Sequence, residues 1–297
     1  MSTIQKVAVV GGSGNVGVPI IEALLESGFV VTAITRIEST ATFPTGVTVK
    51  RVDVTSVDAL AQAFKGQDAV VSTVATVATN MDKTFIDAAL AAKVRRFIPS
   101  EFGADRREAR GTKFGDIFNA KIEHVEYLSE VSKKHDCFTW TALSTGPFFD
   151  WSIKVGLFGI DFKNKTAKIF DSGNEPYSPT TLSFIGKCIV AILKQPDKTA
   201  NKYLTVASFT ATQREVLKIF EEETGSKFQI TNVTSSELEK VGDEKLASGD
   251  PSAYVEFVIQ WLFADGCNHA IKDNAVKLLG LEEEDLRTVV KKLLTEI

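Results

Sequence analysis

The stretch Lys6-Val7-Ala8-Val9-Val10-Gly11-Gly12-Ser13-Gly14-Asn15-Val16-Gly17 decides the fold. Its first part, Lys6–Gly11, is an apolar run ending in glycines, the pattern of a short strand covered on both faces. Downstream, Val16, Ile20, Ile21, Ala23, Leu24 and Leu25 recur at helical spacing and predict a helix over Asn15–Ser27. Pro19 falls in its first turn, where the backbone N–H has no intrahelical partner to lose. Between strand and helix stands G-x-G-x-x-G from Gly12, overlaid by G-x-x-G-x-x-G from Gly11. Such a turn needs positive φ, a side chain at Gly14 would fill the space of a diphosphate, and Gly17 lets the helix sit close on the strand. The main chain of Gly11, Gly12, Ser13, Gly14, Asn15, Val16 and Gly17, with the positive end of the helix dipole, then faces an anion. The alternative is a glycine-rich turn without a ligand. A strand before it and a helix after it favour the phosphate site.

Outward from this unit the alternation repeats. Val30–Arg36, Val47–Asp53, Asp68–Val74, Arg96–Ser100 and Phe138–Ser144 read as strands. Ser56–Phe64, Met81–Ala92 and Ile117–Lys134 read as helices, with a polar loop from Ala104 to Lys113. Strands alternating with helices imply right-handed crossovers and a parallel sheet. The fold class is therefore α/β, a Rossmann-type doubly wound parallel sheet. After about residue 150 the pattern loosens into β-like pieces, Ala167–Phe170 and Lys202–Ala207, and helices near Phe184–Lys194, Gln213–Glu223, Ala253–Phe263 and Glu282–Thr295. No linker separates the parts. We expect a dinucleotide-binding domain over residues 1–150 and a smaller α+β substrate-binding domain over 151–297, interleaved with the first, with the ligand in the cleft between them.

Composition narrows the partners. Thirty-four basic against 38 acidic side chains leave a net charge of −4, which offers no basic face to a nucleic acid. No stretch approaches the ~18 apolar residues that cross a bilayer. The polar start Met1–Lys6 runs straight into a strand, with no room for a signal peptide, so the expectation is a cytoplasmic chain with neither membrane nor nucleic-acid partner. Cys137, Cys188 and Cys267 are isolated and read as small core residues. His124, His135 and His269 lack metal-ligand spacing, and no metal is expected. The acidic runs Glu221–Glu223 and Glu282–Asp285 read as solvated helix positions, the second favourable at a helix N-terminus.

The end of the second strand selects the nucleotide. A site for NAD usually places an acid about 20 residues on, to bond the ribose 2′-hydroxyl. Here Thr35 and Arg36 stand 18 and 19 residues after Gly17, with no acid between Val30 and Ile37. An arginine there can grip a 2′-phosphate through charge-assisted hydrogen bonds, which favours NADP(H). Asp53, closing the third strand, is placed to meet the adenine amino group, or is an ordinary turn aspartate.

With these residues, the chain resembles a known family. The turn GGSGNVG, Arg36, the segment Phe97-Ile98-Pro99-Ser100-Glu101-Phe102-Gly103 and the helix Lys121-x-Glu123-x-x-x-Tyr127-Leu128 look like the NmrA-like, isoflavone-reductase-like proteins. These atypical short-chain dehydrogenases/reductases include phenylcoumaran benzylic ether and pinoresinol–lariciresinol reductases. The likeness continues through Gly146-Pro147-Phe148-Phe149, Asp171-Ser172-Gly173-Asn174 and Asn201-Lys202-x-Leu204. The resemblance implies NADPH at the C-terminal edge of the sheet, against Val74, Ser100, Phe102, Pro147 and Phe148. It also implies a lysine near the nicotinamide in place of a Tyr-x-x-x-Lys pair, and that lysine maps onto Lys121. None of the four tyrosines here is followed by lysine four residues on. A partly desolvated ammonium can exchange protons with substrate near neutral pH, or Lys121 holds the nicotinamide ribose. Lys113 competes, but from a loop. The family's paired arginines after the lysine are Glu123 and His124 here, the segment Ser129–Asp136 is longer and more polar, and the loop Ala104–Gly115 differs. These departures bear on the plant substrates rather than on the cofactor. His124, one turn from Lys121, reads as a helix-surface residue that could also reach the cleft.

Phe148, Phe149 and Trp151 follow the sixth strand, and Tyr254, Phe257 and Trp261 share one helix face. Such a stripe is commonly core. Two groups flanking a cleft also suit an apolar, aromatic or polycyclic substrate. The leading expectation is an NADPH-dependent reductase of such a small molecule, monomeric or homodimeric. The alternatives are a redox-sensing regulator that binds NADP(H) without turnover, and an isomerase or cyclase of secondary metabolism that retains its cofactor.

Overall fold

The computed structural model describes residues 3–75, 78, 81–116 and 119–296. In chain order it begins β1 (Lys6–Val10), α1 (Gly17–Glu26), β2 (Val30–Arg36), β3 (Thr48–Val52), α2 (Val57–Phe64), β4 (Ala69–Ser72) and α3 (Asp82–Ala91). It continues β5 (Arg96–Ile98), α4 (Lys113–Asp116), α5 (Asn119–Ser132), β6 (Thr139–Ser144), α6 (Phe149–Lys154), β7 (Ile160–Asp161) and β8 (Thr166–Phe170). Then come α7 (Leu182–Lys194), α8 (Pro196–Thr199), β9 (Lys202–Thr205), α9 (Gln213–Thr224), β10 (Gln229–Val233), α10 (Ser235–Ala247), α11 (Ala253–Phe263) and α12 (Leu286–Leu294).

Seven strands form one sheet in the order β3-β2-β1-β4-β5-β6-β9, every neighbouring pair parallel. Strand order reverses between β1 and β4, and the glycine turn leaves β1 at that crevice, where doubly wound sheets bind ligands. Alternate residues of β1 explain why the strand reads as continuously apolar. Val7 and Val9 pack with Ile20, Ile21 and Leu24 of α1 and with Ile185 and Ile189 of α7. Ala8 and Val10 point the other way, toward Leu60, Phe64, Phe85 and Ile86. Both faces are covered, as a parallel sheet requires.

The later half is joined to this frame by β9, which completes the large sheet, and by α7, which packs on α1. A second sheet, β10-β8-β7, carries its own aromatic core. Phe158, Tyr177 and Phe263 meet edge to face there, at centroid distances of 4.9 to 5.6 Å. The fully buried Arg96 of β5 ties the sheet to the connection before β9. Its guanidinium donates to Thr139 Oγ1 (2.9 Å), Thr141 Oγ1 (2.8 Å), Thr199 Oγ1 (2.9 Å) and the Pro196 carbonyl (2.6 Å).

Several expectations need correction. The helix expected over Ile117–Lys134 is α5, Asn119–Ser132; the short α4, Lys113–Asp116, was not expected, and Ile117 itself lies outside the described residues. Only Cys188 is a buried core residue; Cys267 is half-buried and Cys137 exposed. His124 is buried rather than on the helix surface. Asp285 caps α12 by accepting from Thr288 N at 2.8 Å, so that helix starts after the acidic run, and Arg287 pairs with Glu222 and Glu223. Among the described residues no helix is long and apolar enough to cross a membrane, and no cluster of three His, Cys, Asp or Glu side chains could hold a metal.

Candidate active site

The glycine turn shows which of its glycines the fold itself demands. Gly11 has φ +77°, and a Cβ there would meet the Thr73 carbonyl carbon at 2.9 Å. A Cβ on Gly17 would lie 2.6 Å from Gly12 Cα, so only glycine lets α1 approach β1 this closely. Gly14 differs. Its N–H closes the turn on the Gly11 carbonyl at 3.0 Å, yet a Cβ there would meet nothing nearer than that oxygen at 3.4 Å. The protein leaves space at Gly14 that its own packing does not need, on the side that opens into a cavity. The helix begins at Gly17, two residues later than expected, because the turn uses Gly14 and Asn15.

Arg36 ends β2 with its side chain 71% exposed and Nε 3.3 Å from Glu38 Oε1. So exposed a pair is worth little and is readily exchanged for a better anion. Asp53, just past β3, accepts from Thr55 N at 2.9 Å and Thr55 Oγ1 at 2.6 Å. Those bonds hold its carboxyl below the usual range and shape the lead into α2.

Past the turn lies a cavity of about 750 Å³. Gly14, Asn15, Val16, Val74, Ser100, Phe102, Lys121 and Phe148, all expected site residues, line it together with Thr73, Ala75 and Trp151. Its remaining wall is the elbow between α10 and α11: Leu246, Asp250, Pro251, Ala253 and Tyr254. Sequence reasoning missed this elbow apart from Tyr254. The signal available was Thr234-x-x-Glu237, a reciprocal cap that starts α10: Glu237 N donates to Thr234 Oγ1 at 3.2 Å and Thr234 N to Glu237 Oε2 at 2.7 Å.

Lys121 of α5 is buried to 4% exposure and makes no hydrogen bond or ion pair among the described residues. Burial pulls its ammonium down to about 8; Arg106 pushes the same way, while Glu101 and Asp82 oppose. Asp82, at the start of α3, accepts from Ser72 Oγ at 2.6 Å and from Ser100 N at 3.1 Å, binding the ends of β4 and β5 together under the cavity. Burial raises its carboxyl despite those bonds and the nearby His124 and Lys121. Glu101 is likewise raised by burial; one of its oxygens accepts from Tyr203 Oη at 2.6 Å and the other is buried without a partner among the described residues. Burial lowers His124, which favours the neutral ring, and among the described residues its Nδ1 has no partner. Two buried acids, Asp82 and Glu101, therefore lie close to the Lys121 ammonium, and Asp82 also to the His124 ring.

Other expected residues fall elsewhere. Pro147 lines a separate cleft of about 200 Å³ with Ser144, Ser178 and His269. Phe149 is core, edge to face with Phe209 at 5.0 Å. Of the α11 stripe only Tyr254 reaches the cavity; Phe257 is core and Trp261 stacks on His269 at 3.8 Å. Lys113 is engaged with α10, 2.9 Å from Glu239 and 2.6 Å from Asp243. It does not line the cavity into which Lys121 opens.

A glycine-rich turn and a buried lysine open into one crevice of a Rossmann-type α/β fold. The model of the NmrA-like family matches residues 3–258, and the chain belongs to that family. It is similar to oxidoreductase aprR of Aspergillus flavus, 40% identical over 247 residues that cover 82% of each chain. It is also similar to oxidoreductase poxI of Penicillium oxalicum, 32% identical over 95% of this chain and 91% of that one. Among solved structures, the binary complex of leucoanthocyanidin reductase and NADPH from Vitis vinifera superposes with a TM-score of 0.78 at 18% identity, covering 98% and 99% of the two chains.

Proposed function

We propose that this chain is an NADP(H)-dependent oxidoreductase that reduces a small apolar, aromatic or polycyclic metabolite. The observation that carries the reading is Lys121: a buried ammonium, free of hydrogen bonds among the described residues, opening into the same cavity as Gly14. The names of the relatives and the NADPH in the Vitis vinifera structure support it.

In this reading the main chain of residues 11–17 holds the diphosphate, Arg36 the 2′-phosphate and Asp53 the adenine edge. Val74, Ser100, Phe102 and Phe148 bound the nicotinamide, and Pro147 acts from outside the cavity. The space left at Gly14 and the donor turn around it fit the group. The bound cofactor supplies a hydride. Lys121 does the remaining acid–base work, because an ammonium near pH 8 is still charged at neutral pH and close enough to its threshold to release a proton to substrate. Phe148, Trp151 and Tyr254 shed water from the reacting pair and stack on a flat substrate. Residues 1–150 are read as the cofactor part and 151–297 as the part that closes the substrate wall.

The test is NADPH consumption over a panel of apolar aromatic carbonyls and enones. We expect turnover by the native chain and a loss of about 10²-fold or more in Lys121→Met, with NADPH still bound. Tight NADPH binding with no consumption across the panel would overturn the reading in favour of a redox sensor. Product formed without net consumption would mean an isomerase or cyclase.

A further inference from the structure

The hydroxyls of Thr73 and Ser100 on the cavity wall are both already engaged, and Asp250 is the one acid among its described lining residues. Thr73 Oγ1 donates to the Val10 carbonyl at 2.9 Å and Ser100 Oγ to the Val74 carbonyl at 2.8 Å. Lys121 has only protons to give. Asp250 stands apart. Its Oδ1 accepts from Ser252 N at 2.8 Å, which turns the chain into α11, the Ser252 side chain also bonds the carboxylate, and among the described residues no cation is paired with it. The one lysine that acts on it, Lys245, is committed to Glu256 at 2.6 Å.

The carboxylate is exposed and water serves it while the cavity is open. A ligand that fills the cavity removes that water, at a cost unless the ligand returns a donor or a positive charge. The neighbouring walls favour charge. Phe148 and Trp151 lie edge to face with centroids 6.5 Å apart, and the Tyr254 ring lines the same space. Aromatic faces attract cations, and a carboxylate among them repels anions. Lys121 adds direction, since a cationic group on the substrate is repelled from the lysine and drawn to the elbow.

Resting on the reductase reading, we infer that the elbow is a specificity site for substrates carrying an ammonium group. Asp250 and the faces of Phe148, Trp151 and Tyr254 hold that charge while the reducible end meets Lys121. Asp250 is a positioning residue here and takes no part in the chemistry.

The experiment uses the full chain with and without saturating NADP+, and three para-substituted phenylbutenones. One carries a trimethylammoniomethyl group, the second its uncharged neopentyl isostere and the third a carboxylate. Calorimetry gives each Kd, and NADPH consumption gives each KM and kcat. We expect the cation to bind about five- to tenfold tighter than its isostere and the carboxylate more weakly than either. Asp250→Asn keeps an acceptor for Ser252 N, so the turn persists, and should cut the cation-to-isostere ratio below about twofold. The difference should appear in KM rather than kcat. A ratio near one in the native chain, or an unchanged ratio in the variant, overturns the proposal. The binding ratio is measured even where no probe is reduced, so failure of the reductase reading is seen separately, as absent NADPH consumption.

Discussion

Arg106 and Lys121 carry like charges close enough to repel, both almost fully buried, and Glu101 attracts each of them. Arg106 lies over the Phe114 ring, 4.6 Å from its centroid, and is among the groups that lower Lys121 to about 8. Below that pH Nζ is protonated and can act as a donor; above it the donor is lost. Reduction should therefore fall about tenfold per pH unit above 8. Arg106→Gln removes a positive neighbour, favours the ammonium and should move the falling limb upward, by up to about one unit. A pH profile of kcat/KM in both proteins decides it, and a limb that stays in place or moves down sinks the coupling.

Arg36 should set cofactor choice. Among the described residues its exposed guanidinium has only Glu38 to release, and a charge-assisted pair with a phosphate contributes about 1.5–3 kcal/mol. Arg36→Ala should weaken NADPH binding about 10- to 100-fold and leave NADH within about twofold. Titration by fluorescence with both dinucleotides gives the ratio; equal losses would assign the 2′-phosphate elsewhere.

Of the first six strands of the large sheet, β1, β2 and β4 were legible as apolar runs and the polar edge strand β3 only by its β-branched alternation, and β2 matches its expected range residue for residue. The seventh, β9, was foreseen only as an isolated β-like piece, since nothing local says that Tyr203 will lie beside Ala142. β10 was missed for a physical reason. Its residues are almost all exposed, so Gln229–Val233 carries no burial pattern. The elbow that walls the cavity escaped with it, because α10 is polar apart from Leu238, Val241, Leu246 and Ala247 and its cap is the clearest sign of it. His124 was misplaced because a lone polar residue beside Lys121 gives no sign that Asp82, from another helix, will lie close to both.

Arg96 should be worth more to the fold than its charge suggests. Burial draws its guanidinium down to about 10, and its four hydrogen bonds join β5, β6 and α8. Arg96→Leu leaves three hydroxyl oxygens and the Pro196 carbonyl short of a donor. The expected loss is about 2–3 kcal/mol in urea unfolding. Arg96→Lys should recover only part of it, because an ammonium lacks the planar fork that reaches all four acceptors. Full recovery by lysine would mean that charge, and not geometry, holds this corner.

The glycine turn allows binding and folding to be separated. Gly17→Ala drives a methyl to within 2.6 Å of Gly12, and overpacking of this kind costs about 1–3 kcal/mol. That should appear as a lower Tm before any ligand is added. Gly14→Ala places its methyl 3.4 Å from the nearest protein atom, an ordinary contact, so stability should stay within about 1 kcal/mol. The same methyl points into the space assigned to the diphosphate, and NADPH affinity should fall at least about tenfold. Thermal unfolding and dinucleotide titration on the two variants therefore give opposite signatures. A Gly14→Ala protein that binds NADPH normally would take the diphosphate away from this turn and, with it, the alignment of the cofactor on Lys121.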